Sequence, residues 1–526
     1  MTKRLFRSAT SVLAASFTLA AGAVACNNGD ALTAVNTNPN NPENAPAGAV
    51  FTNAMQVSVG RWLGSNYTLT QTELIAQHMA KVQYPDEDRY TRIRAGDTQG
   101  YFSSAISGAY AVSLEDFQQV VKKGVSTSSP AIAAPASIMQ QWEFSYLTNS
   151  WGDVPYSQAL QGDSAGGALL PAYDAQKDIY TGMFDKLTKA TADLQLPSSQ
   201  NLGGADPLYN GSTASWAKFS NSLRARLAMD LMEKDPALAN TQLTAAFAAT
   251  GGVFTSNADN ATFNWPGDGV FDNSWASNFK GRDDHRISKT LMDILLANND
   301  PRVPIWAQPT ADFTAGKAGA PKYAGAPNGQ TAAIAGTYFS STSRPGAFLY
   351  PGVTPYGTFG GLGAKAPSYI MTYAEVLFIK AEAAERSKGG LTPGQAAGFY
   401  TAAITASMKQ WGVADADITT FLAQPGVVYT PGIAGLKQTA VQKWTDLFMN
   451  GGRAWFEWRR TCQPATITAG PAADAIAAFN GVMRRFEYPT TEISVNGANV
   501  NAAVTSQGAD DRATRIYIDV PGPTCP

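Results

Sequence analysis

Few residues are suited by type to covalent chemistry, and none comes with a full catalytic set. Gly162-Asp163-Ser164-Ala165-Gly166 has the G-x-S-x-G spacing of a nucleophile elbow, which needs a buried strand before it and a helix directly after. YSQALQ precedes it and GALLPAYD follows, and neither meets that demand. A triad also needs a histidine, and after Ser164 the chain offers only His285. His285 lies in GRDDHR beside Asp283 and Asp284. No HExxH, CxxC or EF-hand loop accompanies it, so a catalytic metal is not indicated. GRDDHRIS reads instead as a helix cap, with one acid paired to Arg282 or Arg286. His78, in a run with Leu74 and Ile75, reads as a packed or surface residue. The Asn- and Asp-rich loops leave calcium as an ion they could bind; no other cofactor is implied.

Non-covalent recognition is better supplied. Sugar rings have apolar faces and polar rims, so flat aromatics mixed with Asn, Asp and Arg are the side chains that hold them. YPDEDRYTR (Tyr84–Arg92) and NWPGDGVFDNSWASNFKGRDD (Asn264–Asp284) have that mixture, and Tyr338, Tyr350 and Tyr356 add aromatics. The candidate ligand contacts are Tyr84, Arg89, Tyr90, Trp265, Trp275 and Asn278. Each has a competing structural reading, because loop aromatics also pack locally.

The elements that must position these loops are helical. Apolar periodicity predicts helices over 49–60, 66–81, 97–123, 130–149, 174–194, 213–233 and 236–248, with a loop at 84–97. They resume at 368–388, 393–411, 433–449 and 472–484. Trp216, Phe219, Leu223 and Leu227 form one stripe, as do Ile179, Met183, Leu187, Ala190 and Leu194, with Asp174 a candidate N-cap. Repeated helix pairs suggest tetratricopeptide-like packing, with no strict 34-residue period. Stretches 250–286 and 303–367 are Gly-, Asn-, Pro- and aromatic-rich, and read as long loops with short hairpins. The fold class is mainly α.

Composition and ends set further bounds. Lys and Arg total 39 against 41 Asp and Glu, with no basic run, so no nucleic-acid footprint is present. Lys3, Arg4 and Arg7 precede an apolar run from about Val12 to Val24, too short to span a bilayer and typical of an export signal over 1–25. Ala23-Val24-Ala25-Cys26 fits two kinds of processing: simple cleavage after Ala-x-Ala, or acylation of Cys26. Residues 26–48 are polar and Asn/Pro-rich, a tether ahead of a folded region over 49–526. Cys462 and Cys525 either pair in an oxidising compartment or remain thiols.

In chain order come LTNSWGDVPYSQAL (Leu147–Leu160), PAYDAQKDIY (Pro171–Tyr180), SWAKFSNSLRARLAM (Ser215–Met229) and RISKTLMDILLANNDPR (Arg286–Arg302). YIMTYAEVLFIKAEAAER (Tyr369–Arg386), QKWTDLFMNGGRAWFEWRRT (Gln442–Thr461) and RFEYPTTE (Arg485–Glu492) follow. This ordered set resembles the SusD/RagB family of outer-membrane nutrient-binding lipoproteins. The resemblance implies a lipid anchor at Cys26, exposure at the cell surface, and a SusC-like TonB-dependent barrel as partner. It also implies capture of an oligosaccharide or peptide ligand without bond cleavage. Arg453 stands where the family more often carries Glu, and Cys462 where Gly is common, which implies a rearranged ion pair. Arg459 and Arg460 are expected to pair with carboxylates such as Glu375 or Glu382. Two other readings stay open: a secreted hydrolase built on Ser164 or on the carboxylates near Asp283, and a purely structural envelope repeat protein.

Overall fold

The computed structural model describes residues 45–104, 106–162, 166–350 and 362–525. The export signal, Cys26, most of the tether, Ser164 and Tyr356 lie outside them.

The helices arise where apolar stripes meet good caps. Helix α1 (Ala47–Trp62) leads into a π-helical turn at Ser65–Thr72 and a short helix at Glu73–Ile75. Strand β1 (Met79–Lys81), α2 (Ala95–Phe102), α3 (Glu115–Ser126) and α4 (Pro130–Trp151) follow. Helix α4 starts on Pro130, whose missing N–H is not needed in a first turn. It is buried nearly all round and so forms the central rod of the fold. Its one carboxylate, Glu143, is fully satisfied by the Trp62 indole N–H (2.9 Å), the Ser58 and Ser113 hydroxyls (3.0 and 2.7 Å) and Arg61. Such a network keeps a buried charge tolerable.

Strands β2 (Val154–Pro155) and β3 (Tyr173–Asp174) pair antiparallel ahead of α5 (Gln176–Asp193), α6 (Thr213–Asp230) and α7 (Pro236–Ala248). Asp174 does not cap α5; its carboxylate accepts from the Tyr156 and Ser157 amides at 2.8 Å. Asp153 accepts from the first amide of α5 instead, at 2.8 Å. Caps elsewhere match their sequence: Ser212 starts α6, and Asp235 followed by Pro236 starts α7. Neighbours α3 and α4, α4 and α5, α5 and α6, and α6 and α7 pack side by side; the first and last of these pairs are joined by short connections, as helical hairpins are.

Strand β4 (Ala261–Phe263), α8 (Ser274–Gly281), β5 (His285–Ile287) and α9 (Lys289–Ala297) lie in the loop-rich half. Strand β6 (Ser368–Met371) pairs with β4 and opens α10 (Tyr373–Glu385), which packs on α11 (Ala396–Gln410) and on the helix at Ile433–Asp446. Helices α12 (Asp415–Leu422), α13 (Ile433–Asp446), α14 (Gly451–Thr461), α15 (Thr490–Val495) and α16 (Gly497–Gln507) complete the chain. Cys462 and Cys525 form a disulfide that ties the C-terminal tail to the end of α14.

Three helix boundaries differ from the periodicity. The stretch 66–81 stops being helical at Ile75, because Gln77 adopts φ +59° and the chain continues as β1. The stretch 97–123 breaks between Phe102 and Ala109. Residues 472–484 hold only a 3₁₀ turn at Phe479–Gly481. There the Ala472 and Asp474 amides bond to the Gly329 and Arg89 carbonyls, so an i→i−4 ladder does not form.

Candidate ligand-binding site

Two short strands build the site. β1 and β5 pair antiparallel, with Met79 opposite Ile287 and Lys81 opposite His285. The Val82 amide donates to the Asp284 carbonyl at 2.9 Å and extends the ladder. Carrying that register outward sets Tyr84 opposite Arg282. The Arg282 guanidinium does lie over the Tyr84 ring, 5.3 Å from its centroid, a cation–π arrangement. Arg282 is pinned by Asp284 (2.7 Å), and Asp284 in turn meets buried Lys81 (3.2 Å), which also holds Glu87 at 2.9 Å. Burial opposes the charge on Asp284. The hydrogen bond from His285 and the cations Arg282 and Lys81 outweigh it, and its carboxyl sits far below the usual range.

Tyr84 is 68% exposed. It stands at a cleft of about 390 Å³ with Gln83, Asp86, Glu87, Arg92 and Arg282. An exposed flat ring stiffened from one side by a guanidinium, with carboxylates and amides at its rim, suits the apolar face and hydroxyl edge of a sugar.

The other candidate contacts are placed differently. Arg89 donates through Nε to the Ala472 carbonyl (2.9 Å) and fastens the loop to 470–474. Tyr90, at φ +65°, is 2% exposed and buried beneath that loop. Trp265 is 7% exposed, with its indole N–H on Ser368 (2.9 Å). Trp275 is fully buried, donating to the Leu63 carbonyl at 3.1 Å. These three rings therefore stabilise the core and offer no face to solvent, which corrects the expectation for them. The mixture of aromatics with Asn, Asp and Arg marked the segments, but these rings turn inward. Asn278 is half-buried on α8, its side-chain nitrogen enclosed. Tyr338 packs against the Ala80–Val82–Ala326 cluster, and Tyr350 stacks on Phe279 at 4.5 Å. Of the site components not singled out from the sequence, Glu87 and Arg282 lie inside the two nominated segments and Lys81 lies outside them. Lys81 was hidden inside an apparent helix, and no local pattern marks it.

Neither histidine faces solvent. His78 is buried between Glu73 (2.9 Å) and the Trp444 carbonyl (2.9 Å). A carbonyl only accepts, so Nε2 is the donor to Trp444. His285 is buried against Asp284 at 3.1 Å, and burial pushes its pKa down. GRDDHRIS does pair its acids, Asp284 with Arg282 and Asp283 with Arg286 (3.0 Å). The cap of α9 is Ser288. Described residues flanking Ser164, at 156–162 and 166–172, are turns and bends. That is not the strand–turn–helix context of a nucleophile elbow. Among the described residues no cluster of three or more His, Cys, Asp or Glu is placed to hold a metal, and no helix is long and apolar enough to cross a membrane.

A larger cleft, about 490 Å³, lies between α9, Pro327–Gln330 and Thr466–Pro471. Its side-chain amides are already engaged: Gln77 donates to the Thr468 carbonyl and accepts from the Thr290 hydroxyl, and Asn328 donates to the Met79 carbonyl and the Asp88 carboxylate. It offers volume with few free donors.

No curated protein sequence matches this one. Solved structures do. A chitin-binding protein superposes with TM-score 0.75 at 25% identity, covering 90% of this chain and 100% of that one. A chitin-binding SusD homologue from Flavobacterium johnsoniae gives 0.71 at 23%, covering 91% and 99%. A SusD homologue from Parabacteroides distasonis gives 0.75 at 19%, covering 91% and 99%. The mainly helical fold is thus the SusD-like fold. The family model described as "Starch-binding associating with outer membrane" matches residues 39–489, and the chain belongs to that SusD-like family.

Proposed function

We propose that this protein is a cell-surface lipoprotein, anchored through acylated Cys26, that captures oligosaccharides. It passes them to a TonB-dependent outer-membrane barrel as that barrel's lid, without cleaving them. The observation that carries the reading is the exposed Tyr84 ring backed by Arg282 at an open cleft, on a family background of starch- and chitin-binding relatives. Both histidines are buried and engaged, which favours binding over general acid–base catalysis.

Calorimetric titration with maltooligosaccharides and chitin oligosaccharides tests the proposal. Saturable binding of at least one series, weakened by Tyr84→Ala and without product on chromatography, supports it. Hydrolysis would contradict the non-enzymatic reading. Absence of any glycan binding would turn attention to peptide ligands or to a purely structural role. Co-purification of a large barrel from solubilised outer membranes tests the partner separately.

A further inference from the structure

Asp283 divides the site into two clefts of unlike charge. On one side is the Tyr84 cleft, whose wall carries Asp86, Glu87, Asp283 and Asp284 against Arg92 and Arg282. On the other is a second cleft of about 380 Å³ between Gln308–Thr314 and Phe339–Arg344. Its cations are Arg286 and Arg344, and the carboxylate paired with both is the shared Asp283.

The two arginines are held differently. Arg286 is buried and saturated. It donates to the Asp283 carboxylate and carbonyl (both 3.0 Å), the His285 carbonyl (2.8 Å) and the Phe339 carbonyl (3.2 and 2.8 Å), while its guanidinium lies 4.6 Å from the Phe339 ring centroid. Arg344 is 41% exposed in its side chain. Its Nε and Nη2 grip Asp283, and Nη1 makes no hydrogen bond among the described residues. Its backbone is fixed, because the Gln308 amide bonds to its carbonyl at 3.0 Å and the Ile287 amide to the Ser343 carbonyl at 2.9 Å. One carboxylate between two guanidiniums leaves a net positive charge, and that charge faces the cleft through a preorganised, unused donor edge.

We infer that this second cleft is a subsite for an anionic substituent, a carboxylate or sulfate, on an oligosaccharide whose adjoining ring lies on Tyr84. The inference rests on the glycan-binding reading and adds the ligand's charge and its direction across the site. Carboxylates outnumber cations among the residues lining the first cleft, whereas the second is lined by Arg286 and Arg344, so the anion lies on the Arg344 side.

The test compares matched pairs on the full-length chain. Tetragalacturonate is titrated against its methyl ester, and a sulfated galactan tetramer against its desulfated form. Wild type prefers the charged member of at least one pair by about tenfold, the scale of a charge-assisted hydrogen bond. Which pair discriminates tells carboxylate from sulfate. Arg344→Gln abolishes the preference and leaves the uncharged member's affinity and the melting temperature unchanged; Arg344→Lys restores part of it. Equal binding within both pairs, or a preference that survives Arg344→Gln, overturns the inference. A chain that binds none of the oligomers fails the glycan reading. The subsite is then judged alone, by adding sodium glucuronate to protein labelled with ¹⁵N-arginine. The guanidinium signal absent in Arg344→Gln shifts if the subsite exists, and an unmoved signal overturns it.

Discussion

The helices around α10 and α14 and the loop face around Tyr84 use the same residue types to opposite ends. In the first region Arg226 holds Glu375 (2.7 Å), Arg453 holds Asp230 (2.8 Å), Arg460 holds Glu382 (2.6 Å) and Glu457 (2.5 Å), and Lys443 also reaches Glu457 (2.8 Å). All are buried, as are Trp444, Trp455 and Trp458 on the same helices. In the second region Arg282, Arg344, Tyr84 and Asp86 meet solvent. The difference is what lies behind each charge. A guanidinium enclosed by its own carboxylate and carbonyls can only stabilise; one gripped on two nitrogens and open on the third can also bind. The sequence blocks that identify the family belong to the first kind, so they locate its scaffold rather than its ligand.

The comparison breaks first in the scaffold. Asp230→Ala leaves Arg453 charged and buried without its partner, and should lower unfolding free energy by about 3–5 kcal/mol, seen as a lower urea midpoint. Replacing Cys462 and Cys525 by Ser opens a link across 63 residues and should cost about 2–4 kcal/mol, with the same readout.

Acid separates the regions further. Burial opposes the charge on Glu382 and Asp230, but Arg460 and Arg453 prevail and both carboxyls titrate below their usual range. Their folded pKa values lie below the unfolded ones, so their contribution is complete above about pH 4 and is lost as pH falls below it. Asp88, the buried acid of the Tyr84 loop, behaves oppositely: burial pushes it up to about 6 against the hydrogen bonds from Asn328 and Lys81. The folded state then binds more protons than the unfolded chain, and this group lowers stability as pH rises from about 4 to about 6. Asp88→Asn should flatten the urea midpoint across that window. The smallest effect is on the surface: Tyr84→Ala should change stability by less than about 0.5 kcal/mol while weakening glycan binding by about 0.5–1.5 kcal/mol, measured by titration.

Much of the helical frame was readable in the sequence. The stripes of α5 and α6 fell at 3.6-residue spacing, and the caps of α6, α7 and α10 are local, whereas α5 takes its cap from Asp153, distant in sequence. Fold class followed from the helical periodicity, and the family resemblance from the order of the sequence blocks rather than from any one of them. What was not readable depends on contacts far apart in sequence. Trp265 and Trp275 look like loop aromatics until Ser368 and Leu63 take their indole N–H groups. Lys81 looks helical until His285 pairs with it across the sheet. Arg460 met Glu382 as expected, whereas Arg459 is held by the Arg484 and Asn149 carbonyls and Glu375 belongs to Arg226. Arg453 found Asp230 on α6.

Hydrogen–deuterium exchange with and without a saturating oligosaccharide tests the central claim most directly, because both regions report in one experiment. Peptides covering 82–94 and 281–287 should gain protection on binding, while those covering 442–461 stay unchanged. Protection along 289–297 and 466–471, with none around Tyr84, would place the ligand in the larger cleft and contradict the account.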